Sequence, residues 1–105
     1  TVHTQSFNHM LGTQKGDSTL IPDASEAFHE YAIEWKEDKI EWFIDGKKYH
    51  TFNNTANNSD DWPFDHPFHI ILNLAVGGNW GGSRGIDNSI WPQSLIVDYV
   101  RVYTF

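Results

Sequence analysis

The chain has 105 residues, 39% of them hydrophobic and 15% aromatic, which is the length and composition of one globular domain rather than of a disordered segment. Fourteen acidic against seven basic residues give a formal net charge of -7, which repels phosphate backbones and sets nucleic acid aside as a partner. With no cysteine and no long apolar run, disulfide frameworks, thiolate chemistry and an apolar helical membrane span are excluded, and no membrane partner is expected.

Period-two alternation dominates, and no convincing helical segment is predicted. Thr1-Val2-His3-Thr4 reads as strand from its first residue, which raises the expectation of truncation or processing. Phe28 to Lys36 is the next strand, with Tyr31, Ile33 and Trp35 on one side and Glu30, Ala32, Glu34 and Lys36 on the other. Ile40 to Asp45 follows, with Ile40, Trp42 and Ile44 on one side, and Asp45-Gly46 then reads as a hairpin turn into Lys47 to Phe52. These three runs predict a β-meander. Asn53 to Asp61 is rich in Asn and Asp and reads as a surface loop. Phe68 to Ala75 and Leu95 to Thr104 are read as two further strands, separated by a long loop that holds Gly77-Gly78-Asn79-Trp80-Gly81-Gly82. The pattern is all-β, most simply part of a sandwich.

Several residues could carry chemistry. A turn at Glu37-Asp38 sets Trp35 opposite Ile40, Ile33 opposite Trp42 and Glu34 opposite Glu41. Opposed Cβ atoms lie roughly 4.5–5.5 Å apart, close to the roughly 5–5.5 Å between the carboxyls of a retaining glycosidase. Lys36 and Lys39 stand nearby, however, and favour a structural role for the two glutamates. His66 and His69 are three apart across Pro67, and the other histidines are scattered, so no metal site is read from them. No G-x-S-x-G elbow occurs. The glycine-rich loop lacks a following lysine and a predicted helix, so it does not read as a phosphate cradle. What it offers is Trp80 on flexible backbone, with its face toward a groove. Asn73 interrupts an apolar strand, so it is either internally satisfied or lines a polar cleft. Asp98, between Val97 and Tyr99, must be solvated, paired or bound to a cation such as calcium. Two sequons, Asn53-Asn54-Thr55 and Asn57-Asn58-Ser59, are attributed to chance in an Asn-rich loop.

Four segments together resemble glycoside hydrolase family 16, and within it the bacterial laminarinases. They are 28–35 (FHEYAIEW), 42–46 (WFIDG), 67–82 (PFHIILNLAVGGNWGG) and 97–103 (VDYVRVY), supported by 1–4 (TVHT) and 8–14 (NHMLGTQ). The resemblance implies a β-jelly-roll (concanavalin A-like) sandwich and hydrolysis of internal β-1,3-glucosidic bonds in laminarin-type glucans with retention. It also implies that residues 1–105 are the C-terminal portion of such a domain, because the family's catalytic E-x-D-x-x-E strand does not occur here. No catalytic residue is therefore assigned to this chain, which is expected to be inactive by itself. By position, the resemblance makes His3, Asn73 and Trp80 substrate-groove residues and Asp98 the side-chain ligand of a structural calcium. The partners it implies are a β-glucan and the missing N-terminal half, and the location is secreted or periplasmic. A non-catalytic, lectin-like carbohydrate-binding module and a purely structural association domain are the alternatives.

Overall fold

The computed structural model describes residues 1–55 and 58–105, which fall into two compact units, Thr1–Phe68 and His69–Phe105. The first unit holds the meander: β1 (Tyr31–Trp35), β2 (Lys39–Ile44) and β3 (Lys47–Asn53) form one antiparallel sheet in the order β1-β2-β3. The register is the one the alternation predicts, with Trp35 opposite Ile40, Ile33 opposite Trp42 and Glu34 opposite Glu41. Two turns fix it. At the first, the Lys36 amide donates to the Lys39 carbonyl at 2.9 Å. At the second, Asp45 and Gly46 adopt φ of 50° and 73°, the left-handed pair that lets a two-residue hairpin follow the strand twist.

One face of this sheet carries the core. Val2, Ile40, Phe52 and Trp62 are buried, and Phe7, Trp42 and Phe64 pack against them. Phe52 is central: its ring stacks on Trp62 (5.4 Å, 17°) and meets Phe7 and Phe64 edge-on at 5.9 and 6.4 Å. These offset and edge-to-face geometries are the ones ring quadrupoles favour. The lid over Phe52 comes from the loop after β3, where the Trp62 amide donates to the Asn58 carbonyl at 3.0 Å. Trp35 joins the cluster from β1, with its indole N–H donating to the Phe64 carbonyl at 3.0 Å. Thr1–Thr4 is not a strand. It contributes a single antiparallel bridge, Val2 to Lys15, before the chain turns back with the Phe7 amide on Thr4 Oγ1 at 3.1 Å.

The second unit departs from the sequence expectation. Neither Phe68–Ala75 nor Leu95–Thr104 is a strand, and Asn73, Trp80 and Asp98 are all exposed. Alternating apolar residues favour extended backbone, but a strand exists only where a neighbour accepts its hydrogen bonds. No ladder occurs among the described residues of this unit. The glycine-rich loop, read as free of helix, instead closes a single α-turn, α1 (Gly78–Gly81), and Asn88–Ile90 form one 3₁₀ turn. No helix among the described residues is long and apolar enough to cross a membrane.

Candidate functional site

Trp80 is the most exposed large apolar side chain, at 93%. Its presentation follows from the glycines around it. Gly77 and Gly78 take φ of 70° and 76°, which only glycine adopts at little cost. The turn then closes through the Gly82 amide on the Gly78 carbonyl at 2.9 Å. A Cβ at Gly82 would sit 2.7 Å from that same carbonyl oxygen, so the close approach requires a residue without a side chain. The outcome is a flat apolar ring projected from a tight turn with no neighbour covering it. Asp87 shapes the next bend, where its Oδ1 accepts from the Ser89 amide (2.8 Å) and hydroxyl (2.6 Å), and the hydroxyl bond holds its carboxyl below the usual range.

Asn73 and Asp98 belong to the same unit as Trp80. Both residues are exposed. No group of three or more His, Cys, Asp or Glu side chains that could hold a metal occurs among the described residues. Calcium takes about 6–8 oxygen ligands. Asp98 by itself therefore does not make a calcium site. His3 lies in the first unit, exposed, with its ring against that of His9 at 5.5 Å and 84°. His66 lies 3.3 Å from Asp65, and both are exposed.

The opposed glutamates form salt-bridged supports on the face away from the aromatic core. Lys36 bonds Glu34 at 3.2 Å, while Lys39 and Lys48 hold Glu41 at 3.0 and 2.8 Å. The Glu41 side chain is only 7% exposed, and its carboxyl is held down to about 2, first by the Lys48 hydrogen bond and then by that of Lys39. A glycosidase acid must retain a proton near neutral pH, which requires the opposite shift. Glu41 cannot serve as one. Lys48 was not foreseen because it depends on a bulge between Trp42 and Phe43. In regular register Phe43 would face Tyr49. The bulge instead sets Lys48 opposite Phe43, which moves the lysine to the face that carries Glu41.

A second charged cluster was also missed. His29 Nδ1 lies 2.8 Å from Asp45 Oδ2, and Nε2 lies 3.2 Å from Asp23 Oδ1. The other oxygen of Asp45 accepts from the Glu30 amide at 2.9 Å. Extending the β1–β2 register by one residue from Tyr31 and Ile44 brings Glu30 opposite Asp45, and that was the available signal. Of the two sequons, Asn53 ends β3 and Asn54 Nδ2 donates to the Glu37 carbonyl at 3.3 Å, whereas Asn57 lies outside the described residues.

The chain is similar to several known proteins. The sequence profile of the glycosyl hydrolases family 16 matches residues 1–99. A beta-glucanase of Rhodothermus marinus is 51% identical over 108 aligned residues, covering 98% of this chain and 38% of that protein. Glucan endo-1,3-beta-glucosidase A1 of Niallia circulans is 45% identical over 82 residues, covering 72% of this chain and 12% of that protein. The X-ray structure of the laminarinase from Rhodothermus marinus matches 86% of this chain and 38% of its own, with a TM-score of 0.81 and 47% identity. The chain thus spans little more than a third of the length of that laminarinase, and its fold class is all-β, part of the jelly-roll sandwich those enzymes have. It belongs to the glycosyl hydrolases family 16.

Proposed function

We propose that this chain is the C-terminal portion of an endo-β-1,3-glucanase that cleaves internal bonds of laminarin-type β-glucans with retention. The observation that carries this reading is the 51% identity to a beta-glucanase across 98% of the chain. Retaining hydrolysis needs one carboxylate as nucleophile and another that alternates between acid and base. No E-x-D-x-x-E strand occurs in the sequence, and Glu41 is held by Lys39 and Lys48, so both reacting groups are assigned to a complementary segment of the domain. This chain supplies the groove. Trp80 stacks its bare ring on a glucosyl unit, Asn73 offers its amide to sugar hydroxyls, and His3 lies beside the point of cleavage. Asp98 contributes one oxygen ligand to a structural calcium that the complementary segment completes, and the assembled enzyme acts outside the cell or in the periplasm.

The test is complementation. The chain is mixed with the part of the Rhodothermus marinus beta-glucanase that it does not match, and reducing ends released from laminarin are measured. Activity is expected from the mixture alone, and Trp80→Ala should lower kcat/KM about tenfold, as loss of one stacking contact does. A folded complex that releases nothing overturns the proposal. Glucan binding by the isolated chain, without hydrolysis in any complex, would instead make it a lectin-like carbohydrate-binding module.

A further inference from the structure

We propose that His29 is a protonation-controlled latch, tying the loop that carries Asp23 to the turn between β2 and β3. The geometry is that of a clasp. Asp23 belongs to a short stretch of turns in which the Glu26 and Ala27 amides both donate to the Asp23 carbonyl, at 2.9 and 3.0 Å. Asp45 is the left-handed residue of the hairpin, with φ of 50°. His29 lies between them with its side chain 13% exposed and one ring nitrogen on each carboxylate. A neutral imidazole has one N–H and can donate to only one of two acceptors. The imidazolium has two and can satisfy both. Nε2 is shut off from solvent and has no aligned hydrogen-bond partner although Asp23 lies 3.2 Å away, so a proton on that nitrogen is what closes the second arm. The charges acting on His29 are Asp45 and Asp23, and the Tyr31 ring meets it edge-on at 6.5 Å.

The sign follows from these partners. The Asp45 hydrogen bond, opposed by burial and aided by the charges of both carboxylates, raises His29 above its ordinary value of 6.5. A histidine raised in the folded state contributes its full stabilisation below the unfolded value and loses it as pH climbs through the folded one. The latch is therefore closed in acid to neutral solution and opens on the alkaline side, freeing the Asp23 loop while Asp45 keeps its bond to the Glu30 amide.

The test uses NMR on the whole 105-residue chain, following the His29 ring proton and the Ala27 and Glu30 amides from about pH 5 to about pH 9. His29 should titrate above the ordinary histidine value. Protection of the Ala27 amide, corrected for intrinsic exchange, should fall several-fold through that titration while the Glu30 amide changes less. His29→Gln should remove the pH step. Because that variant could also disturb the hairpin, Asp23→Asn provides the independent arm: with half-exposed Asp23 neutralised, the fold is kept and the His29 midpoint moves down. An ordinary His29 midpoint, an Ala27 protection flat with pH, or a His29 midpoint unmoved in Asp23→Asn would each overturn the latch.

Discussion

The aromatic cluster over β2 and β3 can be tested through Phe52. Phe52→Ala removes a ring that is 9% exposed and that contacts Phe7, Trp62 and Phe64. Truncating a buried Phe to Ala costs about 3–5 kcal/mol, through lost transfer energy and the cavity left behind. The upper end applies here, since three ring pairs of roughly 0.5–1.5 kcal/mol each are also lost. Only four hydrophobic residues are buried among those described, so the total stability lies at or below the low end of the ~5–15 kcal/mol typical of domains. Urea unfolding followed by tryptophan fluorescence measures the loss directly. With a slope of about 2 kcal/mol per molar urea, a loss of about 5 kcal/mol lowers the midpoint by about 2.5 M, which leaves the variant largely unfolded in buffer. Phe52→Leu keeps most of the volume but also loses the ring pairs, so it should cost less than Phe52→Ala without being neutral. Trp80→Ala is the control: an equally large aromatic with nothing against it should move the midpoint by less than about 0.5 kcal/mol equivalent. If Phe52→Ala and Trp80→Ala behave alike, the rings around Phe52 do not hold the first unit together.

Three further outcomes follow from the charged pairs and turns. Glu41 is depressed to about 2, so its pairing with Lys39 and Lys48 stabilises the sheet above its unfolded value of 4.5 and is lost as pH falls from there toward 2. Lys48→Met should flatten that part of an acid-denaturation curve followed by circular dichroism, and an unchanged acid limb would remove Lys48 from the account. Gly46→Ala forces a side chain into φ of 73° and should cost about 1–2 kcal/mol in urea unfolding, with the cost confined to the hairpin because no atom lies near the added Cβ. Gly82→Ala is different in kind. Its Cβ would meet backbone 2.7 Å away, so the turn carrying Trp80 must open, and near-ultraviolet circular dichroism of the indole should change while the Phe52 cluster unfolds at the parent midpoint.

The order of the meander and the β1–β2 register were legible because three local signals agree. Alternation assigns the faces, Asp45-Gly46 sets one turn, and a one-residue slip would turn Ile40 and Trp42 to the wrong side. The opposed glutamates and their neighbouring lysines followed from the same register. What covers the sheet was not legible. Trp62 and Phe64 lie in a stretch beside Asn- and Asp-rich sequence that looks wholly exposed, and only the return of that loop over Phe52 makes them core. Local pattern carries no information about which distant ring a loop brings back. The bulge was similarly hidden, since nothing in Phe43, Lys48 or Tyr49 announces an extra residue, yet it decides which face Lys48 occupies.

The second unit illustrates the converse, a pattern legible in sequence without its structure. Ile70, Leu72 and Leu74 share one alternating face, while Ile71 stands with His69, Asn73 and Ala75 on the other, the pattern of a strand with one apolar side. In this chain Ile70, Ile71, Leu72 and Leu74 are all exposed, as are Leu95, Ile96, Val97 and Val102. Hydrophobic alternation specifies where a residue would go once a sheet exists. It does not provide the neighbouring backbone that a sheet requires, and an unpaired row of N–H and C=O groups gains nothing from extension that water does not already give it. The first unit escapes this because its three strands are consecutive and pair with each other. The two segments of the second unit are separated by the long loop around Trp80, so their ladders depend on backbone distant in sequence. The Rhodothermus marinus laminarinase with which this chain aligns has more than twice its length. The glycine turn needs no distant backbone. Its close approach at Gly82 is made within six residues, which is why Trp80 is held in a defined turn while the apolar segments on either side are not held in strands.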